Sequence, residues 1–200
     1  MTASNALNGT DTATGLESPP VTRRTTRRAL RIALAVAGAG LVLDQGTKAI
    51  AATQLQQGER VPLVGDLLSL SLLYNPGAAF SLGSGSTWIF TIVGVLAAAA
   101  TIVFAALLRG VRWGIVLGLV LGGVVGNLVD RLVNPPSFGQ GHVTDFIAYG
   151  DLVVGNVADV LVVAGVALLI LRLLTSDPRE QRASGGAARG SLVAQSERAR

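Results

Sequence analysis

The chain has 200 residues, of which 50% are hydrophobic and only 14% are charged, and its mean hydropathy is +0.55. A water-soluble domain usually has about a quarter of its residues charged, so an ordinary soluble globule is excluded. The chain has no cysteine, which excludes disulfides, a thiolate zinc site and a cysteine nucleophile, and its single histidine, His142, argues against a histidine-rich metal centre. The net charge of +4 does not indicate nucleic acid as a partner, because only 4% of the residues are aromatic and the cations flank apolar runs.

The two ends of the chain have a composition that cannot bury a core. Residues 1–28 are rich in Ser, Thr, Asn and Gly and end in a cluster of arginines. Residues 175–200 are rich in Ser, Gly, Ala and Arg. We expect both to be disordered cytoplasmic arms around a four-helix membrane domain at residues 29–174.

Four long apolar segments lie between these arms. They are residues 29–50, 88–108, 113–131 and 152–171. The first would be about 33 Å long as a helix, which is enough to cross a bilayer. The second contains no charged residue, and the fourth contains one, Asp159. The pattern predicts four transmembrane helices.

The distribution of basic residues predicts that both termini are cytoplasmic. With that orientation, all of the 16 Lys and Arg residues except Lys48, Arg60 and Arg131 lie on the inner side. This asymmetry satisfies the positive-inside rule. The first segment could instead be a signal peptide cleaved at residues 49–51, but Asp44 and Lys48 would crowd the cleavage region.

Two stretches between the apolar segments have the character of strands. Residues 68–72 alternate Leu and Ser, which indicates a half-buried strand, and a turn signal follows at residues 74–77. Residues 141–147 form a second candidate strand. We therefore predict an all-α membrane protein that carries a small extracytoplasmic β-cradle.

Asp159 is placed by this scheme as the eighth residue of the fourth span, about 10 Å below its outer entry. A charge in hydrocarbon is costly and is a functional candidate by default, although a protonated structural Asp is the alternative. Asp145 would lie about 21 Å away on one continuous helix. Residues 149–151 interrupt helicity, however, so an extended segment can fold back and bring Asp145 to the start of the fourth helix.

Two carboxylates in a water-poor pocket cannot both ionise cheaply, so one keeps a proton near neutrality. Such a pair can activate water and polarise a carbonyl, as in aspartic proteases. An ordinary surface-loop Asp is the alternative interpretation of Asp145.

Further polar residues converge on the same end of the predicted helices. Asp44 and Lys48 are four residues apart, and an intrahelical ion pair is the favoured interpretation. Asp130 and Arg131 could form an interfacial charge pair. Asn127 is deeper and could hydrogen-bond a partner helix or a substrate backbone.

Five stretches together resemble the lipoprotein signal peptidase (signal peptidase II) family of bacterial membrane aspartic endopeptidases. They are Asp44-Gln45-Gly46-Thr47-Lys48, Asn75-Pro76-Gly77-Ala78-Ala79-Phe80-Ser81, Gly126-Asn127-Leu128-Val129-Asp130-Arg131, Val143-Thr144-Asp145-Phe146 and Asn156-Val157-Ala158-Asp159. Each motif is weak by itself, but five in the right order across residues 31–171 are specific.

The resemblance implies a function and a set of site residues. It implies that Asp145 and Asp159 are the catalytic dyad, that Asn75, Asn127, Arg131 and Asn156 hold substrate or orient the dyad, and that Asp44 and Lys48 support the site. The implied substrates are prolipoproteins whose cysteine already carries diacylglycerol, with cleavage just before that cysteine in the plasma membrane. Globomycin inhibits the family, and no metal or other cofactor is implied. We expect the chain to contact membrane lipid and to function as a monomer.

The chain also departs from the family pattern. Residues 134–140 make a longer link than many members have, and Thr144 replaces a common valine. Gly155 stands where an aromatic residue is frequent, and Val160 where a small polar residue is frequent. These departures concern the shape of the pocket and leave the two acids in place.

Other classes of function remain open at this point. A small proton-coupled transporter could use Asp44 or Asp159 as its proton carrier. A membrane serine protease would depend on the Gly-Ser run at residues 83–86 together with His142. A Mg²⁺ or Ca²⁺ site is disfavoured because too few oxygen ligands have useful spacing.

Overall fold

The computed structural model describes residues 22–77, 87–108 and 110–175, with side chains from Arg28 onward. Within these residues the chain forms four α-helices and four β-strands. In chain order they are α1 (Thr22–Gln54), β1 (Val61–Val64), β2 (Leu68–Asn75), α2 (Thr87–Leu107), α3 (Val111–Val133), β3 (Val143–Tyr149), β4 (Val153–Gly155) and α4 (Val157–Thr175). All four helices are long and apolar enough to cross a membrane. The predicted fold class, a helical membrane protein with a small β element, is confirmed.

The first helix begins earlier than the sequence predicted. It starts at Thr22, so residues 22–28 of the predicted disordered arm are helical. Arg has a favourable helix propensity, and a helix already nucleated in the apolar span extends by one hydrogen bond per added residue. Residues 1–21 of the arm and residues 176–200 of the predicted tail lie outside the described part of the chain, and Thr175 itself ends α4.

The fourth helix begins later than predicted, at Val157 rather than at Leu152. Val153 and Val154 are β-branched and pair with β3 instead of continuing a helix. Asp159 is therefore the third residue of α4, in its first turn, and the prediction that it is the eighth residue of the span is wrong. Asp159 therefore lies at the N-terminus of α4, next to the sheet.

The four strands form one antiparallel sheet in the order β1-β2-β3-β4. Both predicted strands are present, as β2 and β3. Each terminal pair is a hairpin whose turn contains a glycine with positive φ, Gly65 in the first and Gly150 in the second. The central β2–β3 pair joins segments that are far apart in sequence, and its register sets Asn75 opposite Val143 and Leu73 opposite Asp145.

The sheet is fixed to the end of α3 by the link at residues 134–142. The backbone N–H of Gly141 donates to the Arg131 carbonyl at 2.9 Å, and Asn134 Nδ2 donates to the His142 carbonyl at 2.9 Å. The Thr144 N–H donates to Asp130 Oδ2 at 2.9 Å. We call the end of the bundle that holds Lys48, Asp130 and Val157 the site end. β3 runs directly over it.

Helices α1 and α3 pack in direct backbone contact through glycines. Four of them recur at every fourth residue of α3: Gly114, Gly118, Gly122 and Gly126. A Cβ added at Gly118 would lie 2.7 Å from Val36 Cβ and 2.8 Å from the Ala33 carbonyl oxygen. Small residues at such a spacing allow membrane helices to approach closely. In lipid, van der Waals packing between the helices, and not the hydrophobic effect, drives their association.

Asp44 joins three helices at the site end. Its side chain is fully buried, and Oδ2 lies 2.8 Å from Lys48 Nζ one turn further along α1. Its other oxygen, Oδ1, accepts a 2.8 Å hydrogen bond from the N–H of Ala158 in the first turn of α4. Lys48 Nζ also lies 3.1 Å from Asp130 Oδ2 on α3. The carboxylate of Asp44 therefore fixes where α4 begins relative to α1 and α3.

We expect Gly118→Ala to lower the free energy of unfolding by about 1–3 kcal/mol, because its methyl group would overpack the contact with α1. The matched control is Gly38→Ala on α1, where an added Cβ would have no neighbouring atom within 4 Å. Since alanine favours helix over glycine, the control is expected to have an unchanged or higher unfolding temperature in detergent. Equal unfolding temperatures for the two variants would contradict this account of the α1–α3 contact.

We expect Asp44→Ala to lower the free energy of unfolding by about 3–5 kcal/mol, because it leaves a buried cation short of a partner and removes the acceptor for α4. Asp44→Asn keeps an oxygen for the Ala158 N–H and should lose less. Thermal unfolding of both variants, with the exposed Asp66→Ala as a control, measures the difference. A loss for Asp44→Asn as large as that for Asp44→Ala would show that the hydrogen bond to α4 has no role.

Candidate active site

The cavity between the sheet and the helices at the site end brings most of the predicted polar residues together. It has a volume of about 690 Å³. The predicted site residues that line it are Asn75, Asn127, Arg131, Asp145 and Asp159. Asn156 is fully buried directly behind the cavity, while Asp44 and Lys48 lie deeper in the helix bundle. The sheet and three helices thus contribute to one site.

Asp145 is held on β3 by two asparagine side chains. Asp145 is buried, with only 2% of the residue exposed. Asn156 Nδ2 donates to Oδ1 at 2.6 Å, and Asn75 Nδ2 donates to Oδ2 at 2.9 Å. Asn75 is oriented in turn, since its Oδ1 accepts the N–H of Gly77 at 3.0 Å. The β2–β3 register and the turn after β2 are therefore what place this donor beside Asp145.

The environment of Asp145 favours a protonated carboxyl group. The pKa of this carboxyl group is raised from 3.8 to about 7; burial is the largest cause, and the hydrogen bond from Asn75 opposes it. The nearby charge of Asp159 raises the pKa further, while the bond from Asn156 and the charge of Lys48 lower it. Burial is the largest of these effects, so Asp145 can carry a proton near neutral pH.

Asp159 is fixed by a reciprocal cap at the start of α4. The N–H of Asn156 donates to Asp159 Oδ2 at 3.1 Å, and the N–H of Asp159 donates to Asn156 Oδ1 at 3.0 Å. This is the geometry of a capping box, with Asn at the N-cap and Asp three residues later. The remaining oxygen, Oδ1, accepts a 2.8 Å bond from Asn127 Nδ2.

Asn127 and Asn156 connect the two acids to each other and to Lys48. Asn127 Oδ1 accepts from Lys48 Nζ at 3.0 Å and from Asn156 Nδ2 at 3.1 Å. Because an ammonium group can only donate, the oxygen of Asn127 must face Lys48 and its NH₂ must face Asp159. A chain of oriented amides therefore runs from the buried ion pair to both carboxyl groups.

Arg131 presents an unused donor at the cavity. It is 8% exposed, its Nη2 donates to the Gly77 carbonyl at 2.8 Å, and its guanidinium lies 5.2 Å from the centre of the Phe90 ring. Its Nη1 is buried and has no hydrogen-bond partner among the described residues. The interfacial pair suggested between Asp130 and Arg131 is not what the structure contains, because Asp130 pairs with Lys48 and leaves Arg131 turned toward the loop after β2.

Sequence reasoning missed several residues of the site. Gln45 Nε2 lies 3.0–3.1 Å from three acceptors, which are Asp44 Oδ2, the Gly126 carbonyl and Asp130 Oδ1. The signal for it was its position inside the motif that begins at Asp44. The apolar side of the cavity was also missed: it includes Val143, Val153, Val154, Val160, Val163 and Ala164. Three of these recur at helical spacing on α4, which is the pattern that could have found them.

The Asp159 carboxylate packs closely against the backbone of Gly155. A Cβ at this position would lie only 2.9 Å from Asp159 Oδ2. The absence of a side chain at Gly155 therefore makes room for the Asp159 carboxylate beside β4. In the described part of the chain, no group of three His, Cys, Asp or Glu side chains is arranged to hold a metal ion. The chemistry this arrangement offers is that of two oriented carboxyl groups, of which Asp145 is buried and Asp159 is half-buried.

Comparison with known families agrees with this geometry. The sequence model of the signal peptidase (SPase) II family matches residues 36–175. The chain is 40% identical to the lipoprotein signal peptidase of Leifsonia xyli subsp. xyli over 174 residues, covering 85% of this chain and 81% of that protein. It is 41% identical to the lipoprotein signal peptidase of Bifidobacterium longum subsp. infantis over 140 residues, covering 70% and 76% of the two chains.

Solved structures show the same architecture. A bacterial membrane enzyme determined by the in meso method at 2.3 Å resolution superposes with a TM-score of 0.64 and 28% identity, covering 71% of this chain and 87% of that one. A second such enzyme, at 1.9 Å resolution, gives a TM-score of 0.63 and 27% identity, covering 72% and 94%. The family match extends from α1 to the end of α4 and includes every residue of the cavity described above. The chain belongs to the signal peptidase II family, the lipoprotein signal peptidases, and is a multi-pass bacterial membrane protease.

Proposed function

We propose that this protease removes the signal peptide from diacylglyceryl-modified prolipoproteins by cleaving before the lipidated cysteine, with Asp145 and Asp159 as its catalytic pair. The observation that carries the proposal is that both acids line the same cavity. They come from different elements, line one cavity, and are both bonded to Asn156. Family membership supports the cleavage of a signal peptide as the reaction.

The walls of the cavity suit such a substrate. The valines of β4 and α4 give an apolar side, and Val163 of α4 is 68% exposed at the lipid-facing surface. The apolar core of a signal peptide and its neighbouring diacylglyceryl group could reach the acids along this side without leaving the membrane. We propose that Arg131 Nη1, which has no hydrogen-bond partner among the described residues, donates to a substrate carbonyl and so holds the peptide backbone across the cavity.

The proposed mechanism uses one protonated and one ionised carboxyl group. Asp145, whose burial favours the acid, donates its proton toward the scissile carbonyl oxygen. Asp159 takes a proton from a water molecule as that water attacks the carbonyl carbon, which gives a gem-diol. The proton on Asp159 then passes to the leaving nitrogen as the C–N bond breaks, and the gem-diol returns a proton to Asp145. The products are a carboxylic acid and a free amine.

The surrounding residues have positioning roles in this proposal. Asn75 and Asn156 aim the carboxyl group of Asp145, while Asn127 and the N–H of Asn156 aim that of Asp159. Lys48 supports the site indirectly, because it fixes the orientation of the Asn127 amide. Asp44 supports it by holding the first turn of α4. Each role follows from a hydrogen bond that fixes a direction.

We also propose that both termini are cytoplasmic and that the site end faces the extracytoplasmic side. The described cations at the opposite end support this, namely Arg28, Arg31, Arg112 and Arg172, because positive residues are retained inside. The transporter alternative is disfavoured because Asp159 lies in the first turn of α4 rather than deep in a span, and because Asp44 is held in an ion pair with Lys48 and accepts the Ala158 N–H. The serine-protease alternative depends on residues 83–86, which lie outside the described part of the chain.

We expect Asp145→Asn and Asp159→Asn each to reduce cleavage of a purified lipidated prolipoprotein by at least about 10³-fold, because an amide can neither donate a carboxyl proton nor accept one from water. The matched control is Asp151→Asn in the β3–β4 turn. The Asp151 side chain is 92% exposed and pairs with Arg60. This control should keep wild-type activity. Near-normal activity in either site variant would overturn the proposed pair. Similar thermal unfolding of all three variants at neutral pH or above would show that any loss of activity does not come from unfolding.

The raised pKa of Asp145 predicts a pH dependence of stability. The folded protein holds this proton up to about pH 7, whereas the unfolded chain releases it near 3.8. The protonated Asp145 therefore contributes its full stabilisation below pH 3.8, the pKa in the unfolded chain. This stabilisation is lost as the pH rises through about 7, the pKa in the folded protein. We expect Asp145→Asn to flatten the dependence of the unfolding temperature on pH across this window. Asp66→Asn, which changes an exposed acid, should keep the wild-type dependence.

The same proton predicts the direction of the pH dependence of activity. If Asp145 must be protonated in the free enzyme, kcat/KM should fall as the pH rises through about 7. A rate assay with lipidated precursor over this range measures it. A constant kcat/KM across the range would contradict the assignment of the proton to Asp145, although the pair of acids could still be correct.

A further inference from the structure

A second cavity lies at the end of the helix bundle opposite the site, between α3 and α4. It has a volume of about 280 Å³ and is lined by Arg112, Ile115, Val116, Leu168, Leu171, Arg172 and Thr175. We propose that this cavity binds an anionic phospholipid of the membrane leaflet opposite the site, with the phosphate at the two arginines and an acyl chain along the aliphatic side chains.

The charge at the cavity mouth matches an anion. Arg112 is exposed at the second residue of α3, and Arg172 reaches the same cavity from the last turn of α4. The acids of the four described helices, which are Asp44, Asp130 and Asp159, all lie toward the site end. Two cations on facing membrane helices form the kind of basic pocket that recognises lipid headgroups.

The remainder of the cavity matches an acyl chain. Ile115, Leu168 and Leu171 are all more than 40% exposed on the outer surface of the helices, so the cavity opens toward hydrocarbon. The Arg172 guanidinium lies 4.7 Å from the centre of the Trp113 ring. Tryptophan and arginine of this kind mark the headgroup level of a bilayer. Two arginines at the headgroup level, next to aliphatic side chains that face the hydrocarbon, fit a phospholipid better than a soluble anion or a peptide.

Trp113 provides a direct probe of this cavity. The chain has two tryptophans, and Trp88→Phe leaves only Trp113. The full-length variant would be placed in nanodiscs of phosphatidylcholine and phosphatidylglycerol, and one lipid at a time would carry brominated acyl chains that quench tryptophan fluorescence. We expect brominated phosphatidylglycerol to quench Trp113 more strongly than brominated phosphatidylcholine at equal mole fraction.

Adding Arg112→Gln should weaken the preference for phosphatidylglycerol by roughly fivefold, which is the contribution of one arginine at a lipid surface. The matched control is Arg31→Gln, an exposed arginine of α1 at the same end of the bundle that does not line the cavity. The control should keep the preference. Equal quenching by the two lipids, or an equal loss in both arginine variants, would overturn the proposed site and leave only general attraction to a charged surface. Each variant is referenced to unbrominated lipid, and unfolding temperatures confirm that the fold is retained.

Discussion

The hydrogen bond from the Ala158 N–H to the buried carboxylate of Asp44 is the contact on which the arrangement of the site depends. A helix start is a concentration of unpaired N–H groups, and in a membrane these groups have no water to bind. Asp44 supplies an acceptor from a different helix, and Lys48 balances its charge at 2.8 Å. Because Asp159 is the next residue after Ala158, the same contact sets the position of the second acid.

The polar groups around the acids are mainly amides, and this choice has a physical reason. If a lysine or arginine replaced the amide beside each acid, the buried charge would add desolvation cost and both acids would stay ionised. Asn75, Asn127 and Asn156 orient the carboxyl groups by donating hydrogen bonds while carrying no charge. Burial can then raise the pKa of Asp145 toward neutrality, which leaves the pair with a proton to use. Lys48 acts one step away, through the oxygen of Asn127.

The glycine-mediated contact between α1 and α3 has a structural consequence for the site. At Gly126 a Cβ would lie 2.6 Å from Asp44 Oδ2, so the absence of a side chain there makes room for the carboxylate. The same close approach lets Lys48 of α1 reach both Asn127 and Asp130 of α3. The polar network therefore depends on the helix packing. Side chains in place of the glycines would move α1 away from α3 and would separate Lys48 from Asn127 and Asp130.

Local patterns along the chain are enough to identify the class of the protein, the four apolar helices, two of the strands, and the polar residues that gather at one end. These features are local, because hydropathy, strand alternation and motif order can be read without knowing what packs against what. The sequence also indicated that Asp145 and Asp159 could meet, since residues 149–151 break any helix between them.

The residue at which α4 begins and the partner of each polar group depend on contacts between segments that are far apart in the sequence. The β3–β4 pairing and the Asn156 cap compete with helix formation at residues 152–156, and the outcome depends on β3 being held over the end of α3 by Asp130. Lys48 pairs with Asp130, and among the described residues Arg131 Nη1 has no hydrogen-bond partner. The Lys48–Asp130 pair depends on the close approach of α1 and α3 at glycines, and the sequence does not say which helix those glycines will contact. Contacts between distant segments are decided by close packing in three dimensions, and a linear pattern does not contain those distances.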